Sequence, residues 1–153
     1  EFMKLYGLGI DCSGLVFEVL RFGFEKMGKE KEFLESLDWR DRGKMRAGQA
    51  GSFVFAGSAS EVVDPEGLRR LDLILIKDNK KYVHMALVLE NGEGLKVVQS
   101  TVSVIPTGVN VSEIKVEGGQ LIFGFLPGAG KRWEELYEQG KLEFRRLKVL
   151  QHD

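Results

Sequence analysis

The chain has 153 residues, of which 43% are hydrophobic and 29% are charged, so it is long enough for one domain whose core needs neither disulfides nor metal. Its formal net charge of −1 provides no general attraction to nucleic acid or to an anionic membrane. One cysteine and two histidines exclude an internal disulfide framework and a Cys/His zinc site. We therefore expect no metal, no other cofactor, no nucleic-acid partner and no membrane span.

The first predicted elements are helical. Apolar side chains recur at helical spacing from Leu15 onwards, which predicts a helix over residues 12–27. Gly28 is expected to end that helix. A short second helix is predicted over residues 30–41, with its charged side chains on a solvated face. The glycine-rich stretch 43–60 is expected to be a loop that can hold one strand.

The pattern then changes to the alternation typical of strands. Turn residues at 78–80 and 91–94 separate the alternating stretches, which favours an antiparallel meander of four or five strands. The predicted strands cover residues 71–77, 82–90, 95–101, 113–116 and 120–126.

The chain after Pro127 is expected to add one more helix over residues 131–139, which carries Trp133, Leu136 and Tyr137. The alternating stretch 142–149 fits a last strand and part of a helix equally well. Helices at the front of the chain and an antiparallel sheet behind them give an α+β fold class.

The only cysteine, Cys12, stands where a loop turns into the first helix. The unpaired N–H groups of a first helical turn carry partial positive charge, and a thiol placed there has a lowered pKa. A nucleophilic cysteine also needs a base, and the chain offers His84 and His152. His152 lies next to the C-terminus, where chains fray, so His84 is the candidate. The alternative is that Cys12 is a buried and inert small hydrophobe.

Strand pairing tests whether His84 has a partner of its own. A loop that closes between Asn91 and Gly94 places His84 and Gln99 on one face as diagonal neighbours, about 7 to 8 Å apart between backbones. A slip of one residue would place them on opposite faces. A nucleophilic site of this kind needs a thiolate, an imidazole and a third polar group that orients the ring. Cys12, His84 and Gln99 fit that pattern, although each is also a common structural residue.

Several segments together resemble the NlpC/P60 cysteine peptidases, a family with a papain-like fold. The hexapeptide Asp11-Cys12-Ser13-Gly14-Leu15-Val16 is similar to the family's best motif, and residues 84–92 are similar to its histidine hairpin. Residues 71–74 resemble its Gly-Asp-Leu-Val strand, residues 98–100 its third catalytic position, and Gly124-Phe125 its closing strand. The order agrees throughout, so the resemblance covers the chain from Tyr6 to Leu126.

The resemblance implies a role for each matching residue. Cys12 would be the nucleophile, His84 the general base and then acid, and Gln99 the residue that orients the ring. Tyr6, Asp11 and Ser13 would bind substrate, and backbone N–H groups near the helix start would meet the oxyanion. The implied substrate is the stem peptide of peptidoglycan, cut between D-γ-glutamate and a diamino acid. The implied location is the cell envelope or the medium.

The expected organisation is a catalytic domain over residues 1–126, with an insert around 30–70, and a C-terminal extension over 127–153 that packs on the same domain. Leu71 stands where the family has glycine, and the extension has no family counterpart. Two alternatives stay open. One is an amidase or acyltransferase that shares the Cys–His acyl-enzyme step. The other is a binding module without turnover. The sequence gives no oligomeric state.

Overall fold

The computed structural model describes residues 12–39, 51–101, 108–124 and 129–151. Within these ranges the helices are α1 (Cys12–Lys26), α2 (Glu30–Ser36) and α3 (Ala129–Glu138). The strands are β1 (Ser60–Val62), β2 (Leu73–Asp78), β3 (Lys81–Asn91), β4 (Gly94–Thr101), β5 (Gly108–Glu117), β6 (Gln120–Phe123) and β7 (Leu142–Leu147).

The strands form one antiparallel sheet in the order β1-β7-β2-β3-β4-β5-β6, and the sheet curls into a half-barrel. The sequence-based prediction of a papain-like α+β fold, with N-terminal helices packed on a sheet of about five strands, was therefore wrong. The two extra strands explain the difference in size. β1 is a three-residue strand at the end of a glycine-rich stretch, and β7 comes from the segment whose alternation fitted a strand or a helix.

The C-terminal strand β7 lies in the interior of the sheet, between β1 and β2. It pairs with β2 from Leu73↔Arg145 to Ile76↔Leu142. Its hydrophobic residues are buried, because β7 has a packed layer on each side of it. The chain therefore returns from β6, at one end of the strand order, to a place between β1 and β2 near the other end.

Asp72 fixes the point where the chain enters β2. It is fully buried (0% exposed), and both of its carboxylate oxygens accept hydrogen bonds of 2.7 Å from the guanidinium of Arg146. The backbone N–H of Arg69 donates to the same carboxylate over 2.8 Å. Because Arg146 belongs to β7, this ion pair ties the start of β2 to the last strand of the chain.

The two faces of the sheet bury two separate layers of apolar residues. The α1 layer packs α1 and α2 against the sheet residues Leu73, Leu75, Met85, Leu87 and Val98. The α3 layer packs α3 against the sheet residues Ile74, Ala86, Val88, Val97 and Phe144. Neighbouring residues of one strand therefore belong to different layers, as the alternation of strand side chains requires.

The helices agree with their predicted positions and differ in length. α1 ends at Lys26, and Gly28 follows it with φ +72°, a conformation that glycine adopts without cost. α2 stops at Ser36, well short of the predicted residue 41, because Leu37 is extended and buried. The indole N–H of Trp39 then donates to the carbonyl of Leu34 over 2.9 Å and folds the chain back on the helix.

The β3–β4 hairpin has the register that the sequence predicted. Asn91 pairs with Gly94 and Leu87 pairs with Val98, so two residues form the loop. The same pairing continues toward His84 and Gln99, which places both side chains on the face of the α3 layer. This part of the prediction is confirmed.

Candidate functional site

His84 and Gln99 form the centre of the candidate site. His84 follows an irregularity in the β2–β3 pairing, where Ile76 pairs with His84 and Lys77 pairs with Tyr82. The extra residue, Val83, is a bulge of the kind that aims a neighbouring side chain away from regular pairing. The ring of His84 is half-buried, and its Nε2 lies 2.7 Å from Oε1 of Gln99.

This hydrogen bond selects one tautomer of the ring. Because an amide oxygen only accepts hydrogen bonds, Nε2 of His84 carries the proton and donates to Gln99. The lone pair then lies on Nδ1, for which the described residues supply no hydrogen-bond partner. Nδ1 is therefore the atom of this ring that can take up a proton.

The surroundings of His84 keep the ring neutral. Burial lowers the pKa of His84 below its ordinary value, and the hydrogen bond to Gln99 opposes this by a smaller amount. No ionised side chain contributes to the shift among the residues that the structure describes. At neutral pH the imidazole is consequently in the form that acts as a base.

Gln99 is a buried amide in an apolar strand, and only 2% of its surface is exposed. A buried amide is costly unless it is hydrogen-bonded. Its contact with His84 accounts for the presence of a polar residue beside the buried Val97 and Val98. The next strand continues this polar row, because Gln99 pairs directly with Asn110 of β5.

Trp133 of α3 covers the ring of His84. The two ring centroids are 5.9 Å apart, and the rings are nearly perpendicular, at 78°. Trp133 also contacts Phe123, with centroids 5.2 Å apart. Trp133 was predicted to lie on a helix, and no role in the site was predicted for it. Its spacing with Leu136 and Tyr137 was the available signal, because an apolar helix face must cover some part of the sheet.

Cys12 is the first residue of the 15-residue helix α1 and is a half-buried free thiol. It packs against the α1 layer. Ser13, predicted to bind substrate, is 7% exposed and lies mostly inside the protein. The other two predicted substrate-binding residues, Tyr6 and Asp11, lie outside the described residues.

The structure brings two of the three predicted catalytic residues together. His84 and Gln99 share a hydrogen bond in the α3 layer, whereas Cys12 packs in the α1 layer. No hydrogen bond joins Cys12 to His84 in the part of the chain that is described. The imidazole and its orienting amide are thus preorganised, and the thiol stands apart from them at the start of α1.

Two other features bear on the kind of site. Residues 12–39, 51–101, 108–124 and 129–151 hold no cluster of three or more His, Cys, Asp or Glu side chains that could bind a metal ion. None of the helices in these ranges is both long and apolar enough to cross a membrane.

No protein-family model, curated protein or solved structure matches this chain. The resemblance to the NlpC/P60 peptidases therefore depends on the sequence motifs alone.

Proposed function

We propose that this protein is a cysteine hydrolase that cleaves an amide bond, with Cys12 as nucleophile and His84 as base. The observation that carries the proposal is the hydrogen bond between His84 Nε2 and Gln99 Oε1, which leaves Nδ1 as the proton acceptor. The lowered pKa of His84, caused first by burial, keeps that nitrogen unprotonated at neutral pH. The position of Cys12 at the start of a long helix supports the role of nucleophile.

The reaction would proceed in two acyl-transfer steps. The proton of the Cys12 thiol passes to Nδ1 of His84, and the thiolate attacks the carbonyl carbon of the substrate. Collapse of the tetrahedral intermediate breaks the C–N bond, and the imidazolium returns its proton to the leaving amine. Water, deprotonated by the same nitrogen, then hydrolyses the thioester and releases the thiol. Unpaired N–H groups of the first turn of α1 would stabilise the oxyanion.

The proposal makes one strong demand on geometry. Cys12 and His84 lie on opposite faces of the sheet. The proposal therefore requires the thiol to reach the ring around the end of the sheet at which β3 begins. His84 is near that end of β3 and follows the bulge at Val83. A Cys12–His84 pair in solution is therefore a specific consequence of the proposal that can be measured.

The substrate class comes from the sequence motifs. The segments around Cys12 and His84 resemble those of enzymes that cut peptidoglycan stem peptides, so we take the bond between D-γ-glutamate and a diamino acid as the proposed target. The experiment is mass spectrometry of stem tri- and tetrapeptides, with free and with blocked N-termini, after incubation with the protein.

Three variants make this experiment decisive. Cleavage at the γ-D-glutamyl bond should vanish in Cys12→Ala and fall by roughly 100-fold or more in His84→Gln. It should be unchanged in His152→Gln, which makes the same chemical change at the only other histidine. Cleavage that persists in Cys12→Ala would contradict the assigned nucleophile, and intact peptides throughout would contradict the substrate class.

A binding module without turnover is the second candidate, and one observation favours it. Cys12 packs in the apolar α1 layer, as an inert structural cysteine does. In that case the half-buried ring of His84, in front of the buried Gln99 and Trp133, would contact a bound ligand without forming a covalent bond. The reactivity of the Cys12 thiol separates the two candidates.

A further inference from the structure

The helix α3 closes the side of the half-barrel on which His84 and Gln99 lie. It packs against β6 and β7, which are far apart in the strand order, and so it spans the α3 layer. Trp133 is its most deeply inserted described side chain, at 6% exposed. The indole is in contact with Phe123 on one strand and with His84 on another.

We propose that Trp133 is a positioning residue for His84, holding the ring in the tautomer whose Nδ1 accepts a proton by excluding water from the hydrogen bond to Gln99. Gln99 is almost fully buried, whereas the ring of His84 is half-buried even with Trp133 in place. Trp133 covers the ring through an edge contact at 5.9 Å and 78°. The effect of Trp133 on the tautomer of His84 does not depend on the proposed function, whereas the use of that tautomer in catalysis rests on it.

Exclusion of water matters because water competes for both partners of the bond. A hydrogen bond between neutral groups contributes little when either group can turn to solvent instead, and more in a dry environment of low dielectric. Without the indole, water could reach Nε2 of His84 and Oε1 of Gln99. The ring could then rotate or exchange its proton between nitrogens, and Nδ1 would no longer be held as the base.

The inference gives the C-terminal segment a role in the site. Trp133 lies beyond residue 127, in the part of the chain for which the resembling family offers no counterpart. The same segment continues into β7, which pairs with β2, and β2 in turn pairs with β3, the strand that carries His84. His84 is thus contacted by Gln99 of β4 and by Trp133 of the C-terminal segment.

The test is ¹⁵N NMR of the imidazole nitrogens, which reports tautomer and titration directly. Histidine-labelled protein carrying Cys12→Ala and His152→Gln leaves His84 as the only signal and removes any dependence on turnover. We expect the parent to show the Nε2–H tautomer. Trp133→Ala should shift the signals toward the mixed tautomers of a solvated histidine and raise the titration midpoint, since burial is the main cause of its depression.

Two further variants control for packing. Tyr137→Ala removes another aromatic ring from α3 that packs on Phe144, with centroids 5.9 Å apart, and it should leave the tautomer and the midpoint unchanged. Trp133→Phe should restore the parent spectrum. If Trp133→Ala does not fold, Trp133→Leu keeps an apolar side chain with less cover and carries the same test.

The proposal is overturned if the tautomer and midpoint in Trp133→Ala or Trp133→Leu equal those of the parent, or if Tyr137→Ala shifts them equally. These spectra are independent of peptide cleavage. Failure of the hydrolase proposal would appear in the cleavage assay and failure of this one in the ring signals.

Discussion

His84 and Gln99 are diagonal neighbours on β3 and β4, and a hydrogen bond of 2.7 Å joins their side chains. Neither residue lies directly opposite the other in the ladder, so the contact depends on the reach of the glutamine side chain. The amide is almost wholly buried and the ring is half-buried. The pair is therefore a fixed element of the site, with Nε2 bound to Gln99 and Nδ1 without a hydrogen-bond partner among the residues that the structure describes.

The first prediction concerns the amide. Gln99→Leu removes the acceptor for Nε2–H, so the pKa of His84 should fall further, because that hydrogen bond is the one interaction with the described residues that raises it. The NMR titration midpoint of His84 checks this. Gln99→Glu is the matched variant, because it keeps the acceptor and adds a charge, and it should raise the midpoint instead. A midpoint that does not respond to either change would contradict the assigned role of Gln99.

The second prediction is a dependence of stability on pH. The folded protein holds His84 at a pKa below the ordinary value near 6.5, so the unfolded chain binds the proton more readily. The free energy of unfolding should therefore decrease as the pH falls from about 7 through 6.5 toward the folded pKa. Urea titrations of the parent and of His84→Gln measure this, and the parent should show the steeper loss. Equal slopes in the two proteins would contradict it.

The third prediction concerns the ion pair at the entry to β2. Asp72→Asn leaves the guanidinium of Arg146 without its partner in a largely buried place, and should lower the free energy of unfolding by about 3 kcal/mol. Glu93→Gln is the control, since its carboxylate is highly exposed and 3.8 Å from Lys96, and it should cost less than about 0.5 kcal/mol. Chemical denaturation compares them. Similar losses in both variants would argue against the buried pair.

The fourth prediction concerns the β2–β3 turn. Asn79 and Lys80 have φ values of 46° and 68°, the combination of a two-residue turn that favours glycine at the second position. Lys80 is exposed, so Lys80→Gly removes strain without losing packing and should stabilise the protein by about 0.5 to 1 kcal/mol. Thermal unfolding should show a melting temperature higher by roughly 1–4 °C. Lys81→Gly, at the first position of β3, should be destabilising, and a loss of stability in Lys80→Gly would contradict the turn assignment.

Local patterns in the sequence predicted much of the secondary structure. Period-two alternation together with turn residues gave the β3–β4 register, because a slip of one residue would expose the buried side chains of both strands. Helical spacing and Gly28 gave α1 and its end. The placement of His84 and Gln99 on one face followed from the register alone, since alternation fixes which residues share a face.

The sequence could not show which layer lies against each face of the sheet. Alternation placed His84 and Gln99 on one face, but the choice of α3 for that face and α1 for the other depends on packing between distant segments. β1 was missed because three residues carry no measurable period. Leu71 adopts φ 68°, a conformation that favours glycine, and the apolar character of this residue gave no sign of it.

The rate of alkylation of Cys12 by iodoacetamide as a function of pH, in the parent and in His84→Gln, tests the central claim most directly. The chain has one cysteine, so mass spectrometry follows that thiol alone. If Cys12 and His84 form a working pair, the parent should react rapidly well below pH 8.5, and His84→Gln should lose that reactivity. Reaction in both proteins that rises only near pH 8.5 would contradict the cysteine hydrolase and leave the binding module.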